Sequence, residues 1–368
     1  MILKTIRSNS HGGNLYLASK EFGINEGKFL DYSANINPLG VPKDLEKLIK
    51  NNISKLVNYP NIDYSLLTEQ ISNYLKVNKK NIVVGNGATE VIYLTLEALK
   101  LKKVCMPCPT FSEYKGACNK FNIEIDYYNL KEENNFNLHI EDFKNYIDKD
   151  TSIEGIFLCN PNNPTSTLLN KKQLLDILFF ANEKHIFVVL DESFIDLTNG
   201  DEKNSIKDFV KEYKNLIIIR SFTKFFGIPG LRLGCGICNE DLAKELIKIR
   251  LPWSINYFAT LVGEILKEDN DYIINTKKWI NEERDWFYSE LKSIKKIKVF
   301  YPNTNFILVK LLDENIDSVK LREKLGEMGI LIRDCSNFNN LSNKYVRFAI
   351  KDRDKNEKFI KNLKQVLN

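Results

Sequence analysis

The chain has 368 residues, 43% of them hydrophobic and 27% charged, with 53 Lys and Arg against 48 Asp and Glu for a net charge of +5. This is ordinary globular usage, long enough for roughly two domains around a large core, and it excludes a mostly disordered chain, a fibrous protein and a membrane channel. The positive excess is spread along the chain with no basic block, so nothing points to nucleic acid, whereas a positive pocket for a small anion fits it.

Met1 to Ser10 lacks an apolar core long enough for a signal peptide. No apolar run approaches the roughly 18 residues of a membrane span. The seven cysteines are odd in number and irregularly spaced. A reducing cytoplasm is therefore the expected location.

In chain order, Asn14 to Phe22 carries apolar residues at helical spacing, and Gly23 can end that helix. Asn35-Ile36-Asn37-Pro38-Leu39-Gly40 is turn chemistry, followed by helical patterns over 43–57 and 63–75. From residue 81 to about 240, short apolar runs alternate with helical stretches: 104–106, 123–127, 155–158, 186–190, 216–219 and 231–237. Ile186-Phe187-Val188-Val189-Leu190 and Leu216-Ile217-Ile218-Ile219 are apolar without alternation, as strands buried on both faces read. This predicts an α/β unit with a mostly parallel sheet. One long helix is expected over 272–293. Strands near 297–300, 305–310, 330–333 and 345–349, with helices near 317–326 and 353–366, then form a smaller α+β unit.

Ligands of open α/β sheets sit beyond the carboxyl ends of the strands. Four such places carry polar residues of chemical interest. Gly85-Asn86-Gly87-Ala88-Thr89-Glu90 opens a helix, where small residues let backbone N–H groups approach a phosphate. Asn160-Pro161-Asn162-Asn163-Pro164-Thr165 is a rigid turn that supplies amide groups. Asp191 ends a buried strand and needs a cationic or hydrogen-bonding partner. Lys224, in Arg220-Ser221-Phe222-Thr223-Lys224-Phe225-Phe226-Gly227, stands among aromatic residues, and desolvation frees a lysine amine for covalent chemistry.

Together these segments, with Gly227-Ile228-Pro229-Gly230-Leu231-Arg232-Leu233-Gly234, resemble the motifs of fold-type I pyridoxal-phosphate enzymes of the class I/II aminotransferase family. The likeness covers nearly the whole chain. It implies pyridoxal 5'-phosphate as cofactor, held covalently by Lys224, which also transfers protons. Asp191 would pair with the ring nitrogen, Asn163 would bond the phenolic oxygen and Phe111 would stack on the ring. The cofactor phosphate would lie among Gly87, Ala88, Thr89, Ser221, Thr223 and Arg232. Tyr59 resembles the tyrosine that reaches the neighbouring subunit's cofactor phosphate, implying a homodimer. The implied organisation is an N-terminal arm over 1–40 that contributes to the small domain and active site, a large cofactor-binding domain over 41–270 and a small domain over 271–368. One departure is Phe194, where many aminotransferases have a tyrosine that also bonds the phenolic oxygen.

The ends of the chain narrow the resemblance. His11-Gly12-Gly13-Asn14, the segment from Asp31 to Gly40 and Gly329 to Phe338 resemble threonine-phosphate decarboxylases of cobalamin synthesis. Histidinol-phosphate aminotransferases share the core motifs. The implied substrate is a small phosphorylated amino acid, with Arg333 and Arg347 on its anionic groups, since guanidinium forks suit carboxylate and phosphate. His11, Asn14, Asn35 and Asn163 are the further substrate contacts expected.

Other readings are weaker. A Rossmann nucleotide site at Gly85–Thr89 lacks the full glycine spacing and the clean strand-end acid that should follow. A regulator built on this fold would carry an extra DNA-binding domain. Cys105-x-x-Cys108 and Cys235-x-x-Cys238 are too far apart for a compact zinc ribbon, and Cys235 and Cys238 should point to opposite faces of a strand. No metal is expected, and His139 and His185 suggest no Ser-His-Asp triad.

Overall fold

A computed structural model describes residues 12–267 and 270–367. A short strand, β1 (Leu30–Asp31), precedes the strands β2 (Ile82–Gly85), β3 (Lys103–Cys108), β4 (Glu124–Asn129), β5 (Gly155–Cys159), β6 (Phe187–Asp191), β7 (Leu216–Ser221) and β8 (Gly234–Cys238). The last seven form one sheet in the order β2-β8-β7-β6-β5-β3-β4. Only β8 runs against its neighbours, β7 and β2, and every other pairing is parallel.

The apolar runs work as expected of doubly buried strands. Along β7, Leu216 and Ile218 join the larger core cluster, while Ile217 and Ile219 join the second cluster on the opposite face. Val188 and Leu190 against Val189 repeat this division on β6. With apolar side chains on both faces, neither face can turn to water, so helices cover both. Cys235 lies in the larger cluster and Cys238 in the second, so the two thiols do face opposite sides. The strand expected over 231–237 begins only at Gly234, because Arg232 takes a left-handed backbone, φ 59°, that a strand cannot include.

Beyond the 22-residue helix Asp271–Lys292 come β9 (Ile297–Val299), β10 (Phe306–Leu311), β11 (Ile330–Leu331), β12 (Arg333–Asp334) and β13 (Tyr345–Ala349). An antiparallel sheet has the order β12-β13-β10-β9, and β11 pairs in parallel with β1. The strand expected over 330–333 is thus two pieces, with a break at Ile332 that sends each to a different partner. Residues near the two ends of the chain share this region. Leu30 N donates to Gly329 O at 2.8 Å, Tyr32 N to Leu331 O at 2.7 Å, and the fully buried Tyr32 ring stacks on Phe359 at 4.3 Å. The helical pattern over 43–57 is a helix Lys43–Asn51 followed by a 3-10 turn Ile53–Val57.

Candidate functional site

β2 runs parallel to β3 through β7, so the carboxyl ends of six strands and the start of β8 lie along one edge of the sheet. A cavity of about 400 Å³ opens there, closed on its other side by β12, β13 and the segment around Ser33–Asn35. It brings together Lys224, Asp191, Asn163, Arg232, Arg333 and Arg347, which come from five separate stretches of sequence.

One end of the cavity is built for an anion. The helix Gly87–Leu99 points its N-terminus there, and Ala88 and Thr89 line the wall. Gly87 stands behind them with φ +78°; a Cβ on it would lie 2.5 Å from an Arg232 guanidinium nitrogen. A Cβ on Gly234 would lie 2.4 Å from the amide nitrogen of Ala88. Glycine at both positions is what lets strand, helix start and guanidinium meet. Ser221 and Thr223 line the same cavity. The buried Thr223 Oγ1 has no hydrogen-bond partner among the described residues, as expected of a donor reserved for a ligand.

Lys224 is half-buried in the cavity wall. Burial, then the Arg347 and Arg232 charges, bring its amine down from the usual 10.5 to about 8. Asp191 is almost fully buried, and this pushes its carboxyl above the usual range. Three donors counter the push: the Ser193 hydroxyl, the Tyr114 hydroxyl to Oδ2 at 2.7 Å and Ser193 N–H to Oδ1 at 2.8 Å.

Asn163 accepts a short hydrogen bond at Oδ1 from Arg347 Nη1, which leaves its amide N–H groups to the cavity. Arg347 also donates from Nη2 to Ser33 O at 2.8 Å, and its Nε has no partner among the described residues. Burial lowers Arg347 to about 10, which still leaves it cationic at neutral pH. Arg333 is the antiparallel cross-strand partner of Arg347, so both side chains leave the same face of the sheet. It donates to Asn337 Oδ1 at 2.9 Å and lies over the Phe338 ring at 5.1 Å. Two guanidiniums held side by side and short of buried acceptors call for anionic groups from a ligand. Phe111, Phe194 and Phe338 supply apolar wall. Phe194 packs edge-on against Phe306 at 5.0 Å and has no hydroxyl to offer.

Asn35 lines the cavity, and its buried Oδ1 has no partner among the described residues. Two other expected residues are placed elsewhere. Asn14 is exposed and spends its side-chain oxygen on Leu17 N at 3.0 Å as a helix cap, outside the cavity lining. Tyr59 is 79% exposed and rests against Trp253 at 4.8 Å, also outside it. His11 lies outside the described residues.

The glycines after His11 have their own backbone reasons. A Cβ on Gly12 would lie 2.1 Å from Ser33 O, and Gly13 takes φ +89° while donating to Ser33 Oγ at 2.8 Å. Sequence reasoning missed Ser33, Ala34, Glu113 and Cys159 in the lining and Tyr114 behind it. For Tyr114 a signal existed: it lies in the same short segment as Phe111, three residues on.

Comparison with known proteins agrees with this geometry. A family model for aminotransferase class I and II matches residues 27–363. A threonine-phosphate decarboxylase from Salmonella typhimurium is 33% identical over 98% of this chain and 97% of its own length. A protein from Caldanaerobacter subterraneus subsp. tengcongensis, provisionally named for the same activity, is 39% identical over 94% of this chain and 90% of its own. Among solved structures, a histidinol-phosphate aminotransferase from Clostridium acetobutylicum superimposes with a TM-score of 0.84 at 40% identity, covering 92% of this chain and 98% of its own.

Proposed function

The chain belongs to the class I and II aminotransferase family, whose members work with pyridoxal 5'-phosphate, and from that premise we propose that it decarboxylates L-threonine O-3-phosphate to (R)-1-amino-2-propanol O-2-phosphate. The observation that carries this reading is the Arg333–Arg347 pair, two buried cations on one face opposite Lys224, suited to a substrate with both a carboxylate and a phosphate. The likeness to threonine-phosphate decarboxylases supports it, and a place in cobalamin biosynthesis goes with that reading.

The cavity fits the cofactor. The unpartnered Thr223 hydroxyl, Ser221, Arg232 and the helix start behind Ala88 would hold its phosphate, with Asp191 at the ring nitrogen, Asn163 at the phenolic oxygen and Phe111 on the ring face. Bound there, pyridoxal phosphate supplies an electron-withdrawing ring that takes up the electron pair released at the substrate's α-carbon.

The chain's own residues choose which bond breaks. Arg333 and Arg347 would bind the substrate's carboxylate and phosphate and so fix how its α-carbon is presented to the cofactor. Anchoring the distant phosphate helps to fix that presentation. Phe111, Phe194 and Phe338 keep water from the reacting carbon. Lys224 Nζ, with its proton affinity lowered toward neutrality, then delivers the proton to the α-carbon in place of the lost carboxylate.

The second reading is an aminotransferase acting on histidinol phosphate, favoured by the 40% identical Clostridium structure. Here Lys224 would move the α-hydrogen instead. Incubation with pyridoxal phosphate and threonine phosphate, with carbon dioxide measured, separates the two. Release of one carbon dioxide per substrate supports decarboxylation. Amino exchange between glutamate and 2-oxoglutarate without carbon dioxide supports the second reading.

A homodimer goes with either reading. Leu56, Val57, Tyr59, Leu66, Leu251 and Trp253 are all exposed, and so large an apolar face fits a second copy of the chain, with Tyr59 reaching the partner's cofactor phosphate.

A further inference from the structure

Asp191 is the acid that would meet the cofactor's ring nitrogen, and its surroundings are mostly apolar. The Cys159 thiol, which burial keeps protonated, lies opposite it on β5, and Phe157 packs against the neighbouring Tyr114 ring. No cation is paired with this carboxylate among the described residues. Its donors are the Ser193 hydroxyl and N–H and the Tyr114 phenol. Tyr114 sits in the first turn of the helix Glu113–Lys120, and its hydroxyl reaches across the end of β5 to Asp191 Oδ2 at 2.7 Å. The ring is clamped edge-on by Phe111 at 5.5 Å and held by Phe157 at 5.3 Å, which keeps the hydroxyl at Asp191 Oδ2 with the Cys159 thiol also in reach.

We propose that Tyr114 is a positioning residue for the cofactor: its phenol, donated to Asp191 Oδ2, keeps the carboxylate ionised and in one plane, so that the acid meets the ring nitrogen as an anion. This rests on the pyridoxal-phosphate reading of the cavity. The physical reason is an asymmetry of donors. A phenol buried beside a carboxylate has every reason to keep its proton, so it only donates, and a donor stabilises the charged acid over the neutral one. Burial works the other way. With Tyr114 removed, Oδ2 loses its donor and only the Ser193 hydroxyl and N–H oppose burial, so the acid shifts toward its protonated form and the ring nitrogen loses counter-charge. Tyr114 also touches Phe111, so one side chain sets both the acid at the ring's edge and the aromatic wall at its face.

Tyr114→Phe keeps the ring packing and removes only the hydroxyl. In the holoenzyme reconstituted with pyridoxal phosphate, the dissociation constant for the cofactor is expected to rise about tenfold, as for loss of one hydrogen bond to a charged group. The pH midpoint of the bound cofactor's visible absorbance is expected to move up by about one unit. 3-Fluorotyrosine at position 114, a more acidic donor of nearly the same shape, should move the midpoint the opposite way. Phe157→Leu, which loosens the ring but leaves the hydroxyl, should lower the melting temperature without moving the midpoint. Coincident titrations and cofactor affinities for wild type and Tyr114→Phe overturn the proposal while leaving the cofactor assignment standing. A wild-type protein that takes up no pyridoxal phosphate overturns both.

Discussion

Lys224 shows how a single residue is tuned by its surroundings. Its amine is half-buried between two guanidiniums that already claim the positive potential of the cavity, and its proton affinity falls from the usual 10.5 to about 8. The sign of the resulting pH dependence follows directly. Between about pH 8 and 10.5 the unfolded chain still binds this proton while the folded apo-protein has released it, so the group makes stability rise with pH in that window. Below about pH 8 the folded state carries the cost of a charge enclosed beside Arg347 and Arg232. Lys224→Met should therefore make the apo-protein more stable at pH 7 and remove that part of the rise, read as urea midpoints across pH 7 to 10.5. The same variant should lose the cofactor's visible absorbance and all turnover. A surviving absorbance band would reassign the covalent lysine.

At the scale of elements, two glycines hold the same junction and should fail differently. A Cβ on Gly87 meets the far end of the Arg232 side chain, which can swing away, so Gly87→Ala should fold. With Arg232 displaced and the left-handed backbone strained, pyridoxal phosphate affinity should drop at least about tenfold by equilibrium dialysis. A Cβ on Gly234 meets backbone, the Ala88 nitrogen at 2.4 Å and Arg220 O at 2.8 Å, and neither can move alone. Gly234→Ala should cost roughly 1–3 kcal/mol of stability in urea titration before any ligand is added.

The strand ends beside this junction are tied by buried charge. Arg220 on β7 bonds Glu192 at 3.1 Å, just past β6, and also Asp196 at 2.6 Å and Glu202 at 2.8 Å. Replacing Arg220 with Met strips Asp196 and Glu202 of their shared cation and leaves Glu192, whose carboxyl burial already pushes up to about 7, to take up a proton in the interior. The loss should be about 3–5 kcal/mol, with the melting temperature as readout.

At the scale of the whole molecule, the two sheets are joined by polar contacts that bracket the cavity. Glu132 accepts from Lys310 at 2.7 Å, Lys298 at 3.1 Å and the Tyr345 hydroxyl at 2.6 Å, and these donors hold its carboxyl at about 2. Ser166 takes Asn303 N at 2.9 Å, and Asn340 donates to Cys108 O and Leu130 O. Tyr345 lies two residues before Arg347, so this clamp also sets the strand that carries the substrate's arginine. The exposed apolar face is the other whole-molecule feature. Val57 is 87% exposed, and Val57→Asp touches no core residue cluster. If that face joins two copies, Val57→Asp should shift the sedimentation coefficient from dimer toward monomer and lower turnover, while the circular dichroism spectrum stays that of the wild type. No helix among the described residues is long and apolar enough to cross a membrane.

What the sequence by itself determined is local. Unalternating runs such as Leu216 to Ile219 announced a sheet buried on both sides, because apolar residues on both faces leave no side for water. Segments such as Asn160 to Thr165 and Ser221 to Lys224 announced the chemistry, because polar residues buried at a strand end must find partners, and Asn163, Thr223 and Lys224 face the cavity. Tertiary structure alone decided which of these meet. β11 and β12 could be split only by their separate partners, and the antiparallel setting of β8 comes from the turns between Ser221 and Gly234. Asn14 carries the residue type of a ligand contact, but helix capping claims its side chain. Tyr114 reads as a core aromatic until the fold carries its hydroxyl across β5 to Asp191. A pattern along the chain records what each residue wants around it, whereas the partner that satisfies it comes from another strand, and only packing chooses that strand.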